Sequence, residues 1–153
     1  MTFDAAAANA LFSALKSVPL QTRLFQDVDT HEPWNAPGTG LYCSIIMGPL
    51  RPEPAKSGLN STTGSITFTV RVWSGAMIRS PDKVDPEVLA AVATLMTAYS
   101  ADYTLGQLVR NIDLMAMSAQ PGWVPFEGKQ FRVMDIQMPI VINDMFAQVA
   151  TDD

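Results

Sequence analysis

Between residues 66 and 73 apolar and polar side chains alternate: Ile66, Phe68, Val70 and Val72 against Thr67, Thr69, Arg71 and Trp73. Successive strand residues point to opposite faces, so this run predicts a half-buried strand. Leu41 to Met47 reads as its partner. Val109 to Met117 predicts a third strand and Gln130 to Met138 a fourth, entered through a Glu127-Gly128-Lys129 turn. Trp123 to Phe126 should pair with the fourth across that turn, and Ile140 to Ile142 should extend the sheet beyond Pro139 at an edge or bend.

Two other stretches repeat their apolar positions at helical spacing. The first follows Thr2, a cap candidate, and Asp4, and carries Leu11, Phe12 and Leu15, with Pro19 expected after its end. In the second, Asp85 reads as the cap, Pro86 as the first helical residue and Glu87 as the charge facing the positive dipole end. Val88, Val92, Leu95, Met96 and Tyr99 form its buried stripe. The order is helix, two strands, helix, three strands. It predicts one α+β domain over residues 1–153: a mainly antiparallel or mixed sheet with two main helices on one face. Two long loops interrupt it, from Gln26 to Gly40 and from Gly48 to Gly64. The second joins two strands and reads as the tip of a long hairpin arm.

Composition narrows the function. Charged residues are 16% of the chain, so part of the surface is expected to be covered by a neighbour. The net charge is −5 and no stretch collects Lys or Arg, which disfavours a grip on nucleic acid or an anionic membrane. No run approaches the length of a membrane span, and the apolar Ala5 to Leu15 segment lacks a basic leader, so it reads as a helix and not a signal peptide.

Candidates for chemistry are few. His31 is the only histidine, in the acidic run Asp27 to Glu32, whose spacing fits neither a calcium loop nor a zinc helix. Cys43 is the only cysteine and lies in an apolar strand, the setting of an inert thiol. No nucleophile elbow or phosphate loop occurs. The chain therefore reads as a non-enzyme with no cofactor or metal. The strand-borne charges Arg71, Arg110, Asp113, Arg132 and Asp135 are more informative. They read as cross-strand ion pairs on a solvated face or as pairing between subunits. Trp73, on the polar side of its strand, and Trp34, in a loop, look exposed, and Trp with Arg is what interface centres favour. The expected subunit interface is Arg71, Trp73, Arg110, Asp113, Arg132 and Asp135.

The second half resembles the tail terminator proteins of long-tailed bacteriophages. The resemblance is carried by Ser80-Pro81, the helix from Asp85-Pro86 to Ala101-Asp-Tyr-Thr-Leu-Gly106, Val109-Arg-Asn-Ile-Asp-Leu114, Gly128-Lys-Gln-Phe-Arg-Val-Met-Asp-Ile136, Pro139 and Ile142-Asn-Asp144. It covers about Ser65 to Phe146. It implies an α+β subunit of a ring, typically a hexamer, that caps the head-proximal end of the tail tube. Such a ring ends tube growth and meets the head completion proteins of the neck. DNA passes through its lumen unread, and the family has no catalytic residues. The implied location is the virion tail, with assembly in the host cytoplasm. Rival readings are another neck protein, a tube subunit, or a small ligand-binding module or enzyme using His31.

Overall fold

The two helical runs form α1 (Ala5–Thr22) and α2 (Pro81–Ala101) in a computed structural model that describes residues 3–38, 40–53, 61–75 and 81–147. The alternating runs form β1 (Asp27–Asp29), β2 (Leu41–Ile46), β3 (Leu50–Pro52), β4 (Ser61–Ser74), β5 (Asn111–Ile112), β6 (Ser118–Phe126) and β7 (Lys129–Ala147). The sheet order is β1-β2-β4-β7-β5, with β3 also paired to β4 and β6 also paired to β7. Every pairing is antiparallel except that of β1 with β2, so this is an α+β fold with a mixed sheet.

The alternation in β4 sorts the sheet into two faces. Phe68, Val70 and Val72 are opposite Met138, Ile136 and Met134. With Cys43 and Ile45 of β2, this face packs against Leu11 and Leu15 of α1 and Val88, Val92, Leu95 and Tyr99 of α2. Burying one such side chain contributes about 1.5–3 kcal/mol, so this one layer dominates folding. Both helices therefore lie on one face, as the apolar patterns predict.

Pro19 lies inside α1 rather than beyond its end. Proline has no N–H, so the Leu15 carbonyl one turn back loses its helical donor. The buried Tyr99 hydroxyl replaces it, donating to Leu15 O at 2.7 Å. The helix runs on to Thr22 and stops at Arg23, whose φ of 58° is left-handed. Its N-cap is Asp4, whose carboxylate accepts from Ala7 N–H at 3.0 Å; Thr2 lies outside the described residues.

The second helix also starts earlier than expected. Ser80-Pro81-Asp82 repeats the pattern of Asp85-Pro86-Glu87 five residues upstream, and α2 begins at Pro81. Pro86 is thus internal, and Asp85 is free to reach sideways to Arg132.

β2 and β3 together line one side of β4. Ile46 faces Thr69 while Leu50 faces Ile66, four residues against three, so the chain bulges at 47–49. Gly48 occupies the bulge, where a Cβ would run into the Thr67 carbonyl. The hairpin arm read from the sequence is therefore β3 with β4; residues 54–60 lie outside the described residues.

The expected third strand shrinks to Asn111–Ile112. The reason lies in β7, which runs unbroken through Pro139. Pro139 can accept from Asp113 N–H, at 2.8 Å, but has no N–H to return. The ladder breaks there and residues 113–117 turn away from the sheet before β6 rejoins it at Ser118 opposite Gln137. Asp113 thus sits in this turn, not in a strand, and its carboxylate accepts from Ala116 N–H at 3.3 Å. β6 is also longer than the expected Trp123 to Phe126, because it tolerates Pro121 as an edge strand.

Candidate functional site

The face of the sheet away from the helices carries the expected interface residues Arg71, Trp73 and Asp135. Arg71 and Asp135 are cross-strand partners in β4 and β7. The guanidinium donates to both carboxylate oxygens, at 2.7 and 3.0 Å. That paired hydrogen bonding pushes the Arg71 pKa up, and the carboxylate of Glu32 in the loop after β1 adds to it. The pair is half-buried and its charges are met within one chain. Next to it Thr69 donates to Gln137, at 3.3 Å.

Trp73 is not exposed. It faces the side that alternation predicts, but that side has its own apolar cluster of Tyr42, Trp73, Phe131 and Val133. Ala36 of the loop packs against it, and only 2% of Trp73 remains accessible. The indole N–H donates to Ser44 Oγ at 2.9 Å, so the buried polar edge is satisfied. Arg71 lies over the ring, 5.4 Å from its centroid. Tyr42 closes the cluster by donating its hydroxyl to Asp29; burial, then this bond, pushes its pKa up.

The other expected residues are elsewhere. Arg132 is on the helix side, where it pairs with Asp85 of α2 at 2.9 Å and lies 5.0 Å over the Trp123 ring. Arg110 is exposed and donates to Asn143 at 3.2 Å. Asp113 is in the turn described above. The six residues therefore form no single patch: Arg71, Trp73 and Asp135 come together, and Arg110, Asp113 and Arg132 stand apart.

Cys43 is fully buried on the helix side, and burial pushes its thiol up to about 12. His31 is exposed on the loop after β1, with Nδ1 2.7 Å from the Glu32 carbonyl and its ring stacked 5.3 Å from Trp34. Among the described residues no three of His, Cys, Asp and Glu converge on a metal-sized site, and no helix is long and apolar enough to cross a membrane.

The exposed large apolar side chains are the more telling group, and several of them stand at the two edges of the sheet. Beyond β1 the loop presents Trp34, 85% exposed, over a cleft of about 430 Å³ that reaches Tyr42. At the opposite edge Trp123 of β6, Leu89 of α2 and Met115 of the 113–117 turn are exposed. Here Val88, Leu89, Pro121 and Met134 line a groove of about 180 Å³, with the Asp85–Arg132 pair at its rim. The sequence patterns single out neither Leu89 nor Met115: Met115 falls inside the predicted third strand, and Leu89 is the leucine beside, not on, the stripe of α2.

The free edge of β6 is a poor template for a further strand. Phe126 and Lys129 flank the two-residue turn and face each other, as a bonded pair does in such a hairpin. Odd-numbered residues from 119 to 125 then point their backbone groups outward. Two of these are Pro121 and Pro125, which have no N–H to offer. In sequence comparisons, no family model matches the chain and no curated protein is similar to it.

Proposed function

We propose that the chain is a structural subunit that works by assembly, as a ring that caps the head-proximal end of a phage tail tube. One observation carries the assembly part of this reading: large apolar side chains stand exposed at both edges of the sheet, Trp34 at one and Leu89, Met115 and Trp123 at the other. Isolated surface leucines need no explanation, but exposed tryptophans at two edges favour protein contacts. The terminator assignment itself rests on the resemblance over Ser65 to Phe146, the segment that supplies most of β4 and β7 together with α2, β5 and β6. In such a ring the subunit would end tube growth by binding the last tube layer and offering a different surface to the neck. The net charge of −5 suits a lumen that lets DNA pass without holding it.

The test is to weigh the purified chain by light scattering, alone and with tube subunits, and to image tube length. The expected result is a closed oligomer of one size that shortens or caps growing tubes. A chain that stays monomeric under both conditions, or that grows open filaments of its own, overturns the proposal.

A further inference from the structure

We infer that the cavity between the start of α1 and the far end of β7 is a binding site for a small zwitterion with an apolar side chain, an α-amino acid, whose carboxylate is held by Arg110 and whose ammonium is held by Asp144. The site does not depend on whether copies of the chain assemble.

Three observations carry it. The first is what lines the cavity. Phe3, Ala7 and Leu11 from the N-terminal part of the chain and Ile142 of β7 supply its apolar surface, and Leu11 and Ile142 are buried. Arg110, Asn143 and Asp144 line the same cavity and are exposed, which puts the charges at its mouth. A cavity of about 150 Å³ holds benzene, so one of about 230 Å³ suits about nine non-hydrogen atoms, the size of leucine.

The second is the state of the two charges. Opposite charges that share a cavity gain by pairing. Here they stay apart: among the described residues neither Arg110 nor Asp144 forms an ion pair, whereas Arg71 and Arg132 each take a carboxylate. Arg110 donates only to the Asn143 side-chain oxygen, at 3.2 Å, and that oxygen also accepts from Thr63 Oγ1 at 3.3 Å. The guanidinium is thus positioned while most of its five N–H donors remain for a carboxylate.

The third is the backbone on both walls. Gly64 faces Ile142 and Thr62 faces Phe146, so β7 carries extra residues against β4 between these pairs. Asp144 lies in this bulge with φ 54°, and bulges re-aim side chains. On the other wall Gln107, φ 68°, ends a run of three residues with positive φ that begins at Leu105. L-residues resist this conformation, and such strain gathers where a ligand is held.

The test titrates the full chain, by nuclear magnetic resonance, with three probes of one shape: leucine, isocaproate, which lacks the ammonium, and isopentylamine, which lacks the carboxylate. Leucine should bind at least about tenfold more tightly than either, the worth of one charged hydrogen bond. Arg110→Gln should lower leucine to the affinity of isopentylamine, and Asp144→Asn to that of isocaproate. Both positions are exposed, and asparagine is tolerated at φ 54°, so folding should hold, which circular dichroism checks. Three probes that bind alike, or variants that bind leucine like the parent, would reduce the cavity to an apolar hole and overturn the inference. Binding by none of the probes overturns it outright.

Discussion

At the scale of single residues, the buried hydroxyl of Tyr99 does a backbone's task. It donates to the Leu15 carbonyl that Pro19 leaves without a helical donor. Tyr99→Phe should therefore cost about 1–3 kcal/mol, the penalty of an unsatisfied buried carbonyl, in urea unfolding. In a Pro19→Ala background the residue at 19 again has an N–H, and the same change should cost clearly less. Equal costs in the two backgrounds would show that the hydroxyl is not compensating for the proline. The buried acids set a second expectation. Burial raises Cys43 from 9.0 to about 12 and holds Tyr99 well above 10.0. A raised acid keeps its proton longer in the folded chain than in the unfolded one. The stability it contributes is complete below pH 9 and is lost as pH rises from there toward 12. Unfolding free energy should fall above pH 9, by up to about 1.4 kcal/mol per pH unit per group, with Tyr99 and Tyr42 joining above pH 10. Cys43→Ala should flatten the first part of that fall. Stability that holds level across the window would contradict this account.

At the scale of elements, local patterns were legible wherever one rule governed the run. The β4 alternation and the α2 stripe place the helix-side core correctly because each residue's face follows from its spacing. Ends were harder to read, since prolines act through partners that are distant in sequence. Pro19 does not end α1 because Tyr99 satisfies the freed carbonyl, and Pro139 does not end β7 but ends β5 beside it. Trp73 shows the limit of alternation: it gives the face but not what covers that face, which here is an apolar cluster and a loop. The strand pairing of Arg71 with Asp135 was not visible either, because register links positions 64 residues apart. The turn between β6 and β7 is a place where the sequence departs from its own geometry. Glu127 has φ 50° and Gly128 φ 77°, the left-handed pair of a type I′ turn, which favours Asn-Gly. Glu127→Asn should stabilise the chain by about 0.5–1 kcal/mol, seen as a higher urea midpoint with an unchanged slope. No gain would mean that the Glu127 side chain contributes something the turn geometry does not reveal.

At the scale of the whole molecule, the structure meets within one chain charges that the sequence reads either as cross-strand ion pairs or as pairing between subunits. Arg71 is taken up by Asp135 and Arg132 by Asp85, both within one chain. An interface built on these residues would have to break bonds already made, and exposed or half-exposed pairs return at most about 1 kcal/mol each. Among the side chains left exposed at the sheet edges are the large apolar Trp34 and Trp123. This difference has a sign that salt reads directly. Copies that each carry a net charge of −5 repel, and added salt screens the repulsion. Raising NaCl from about 0.05 to about 0.5 M shortens the Debye length roughly threefold. If apolar edges hold the assembly, sedimentation should show association unchanged or stronger across that range. If Arg–carboxylate pairs between subunits hold it, association should weaken severalfold, because those pairs are screened too. Weakening would therefore return the interface to the charged residues of the strands. Constancy or strengthening would leave it with Trp34, Leu89 and Trp123, and would mean that the ion pairs serve the fold of each subunit before any neighbour arrives.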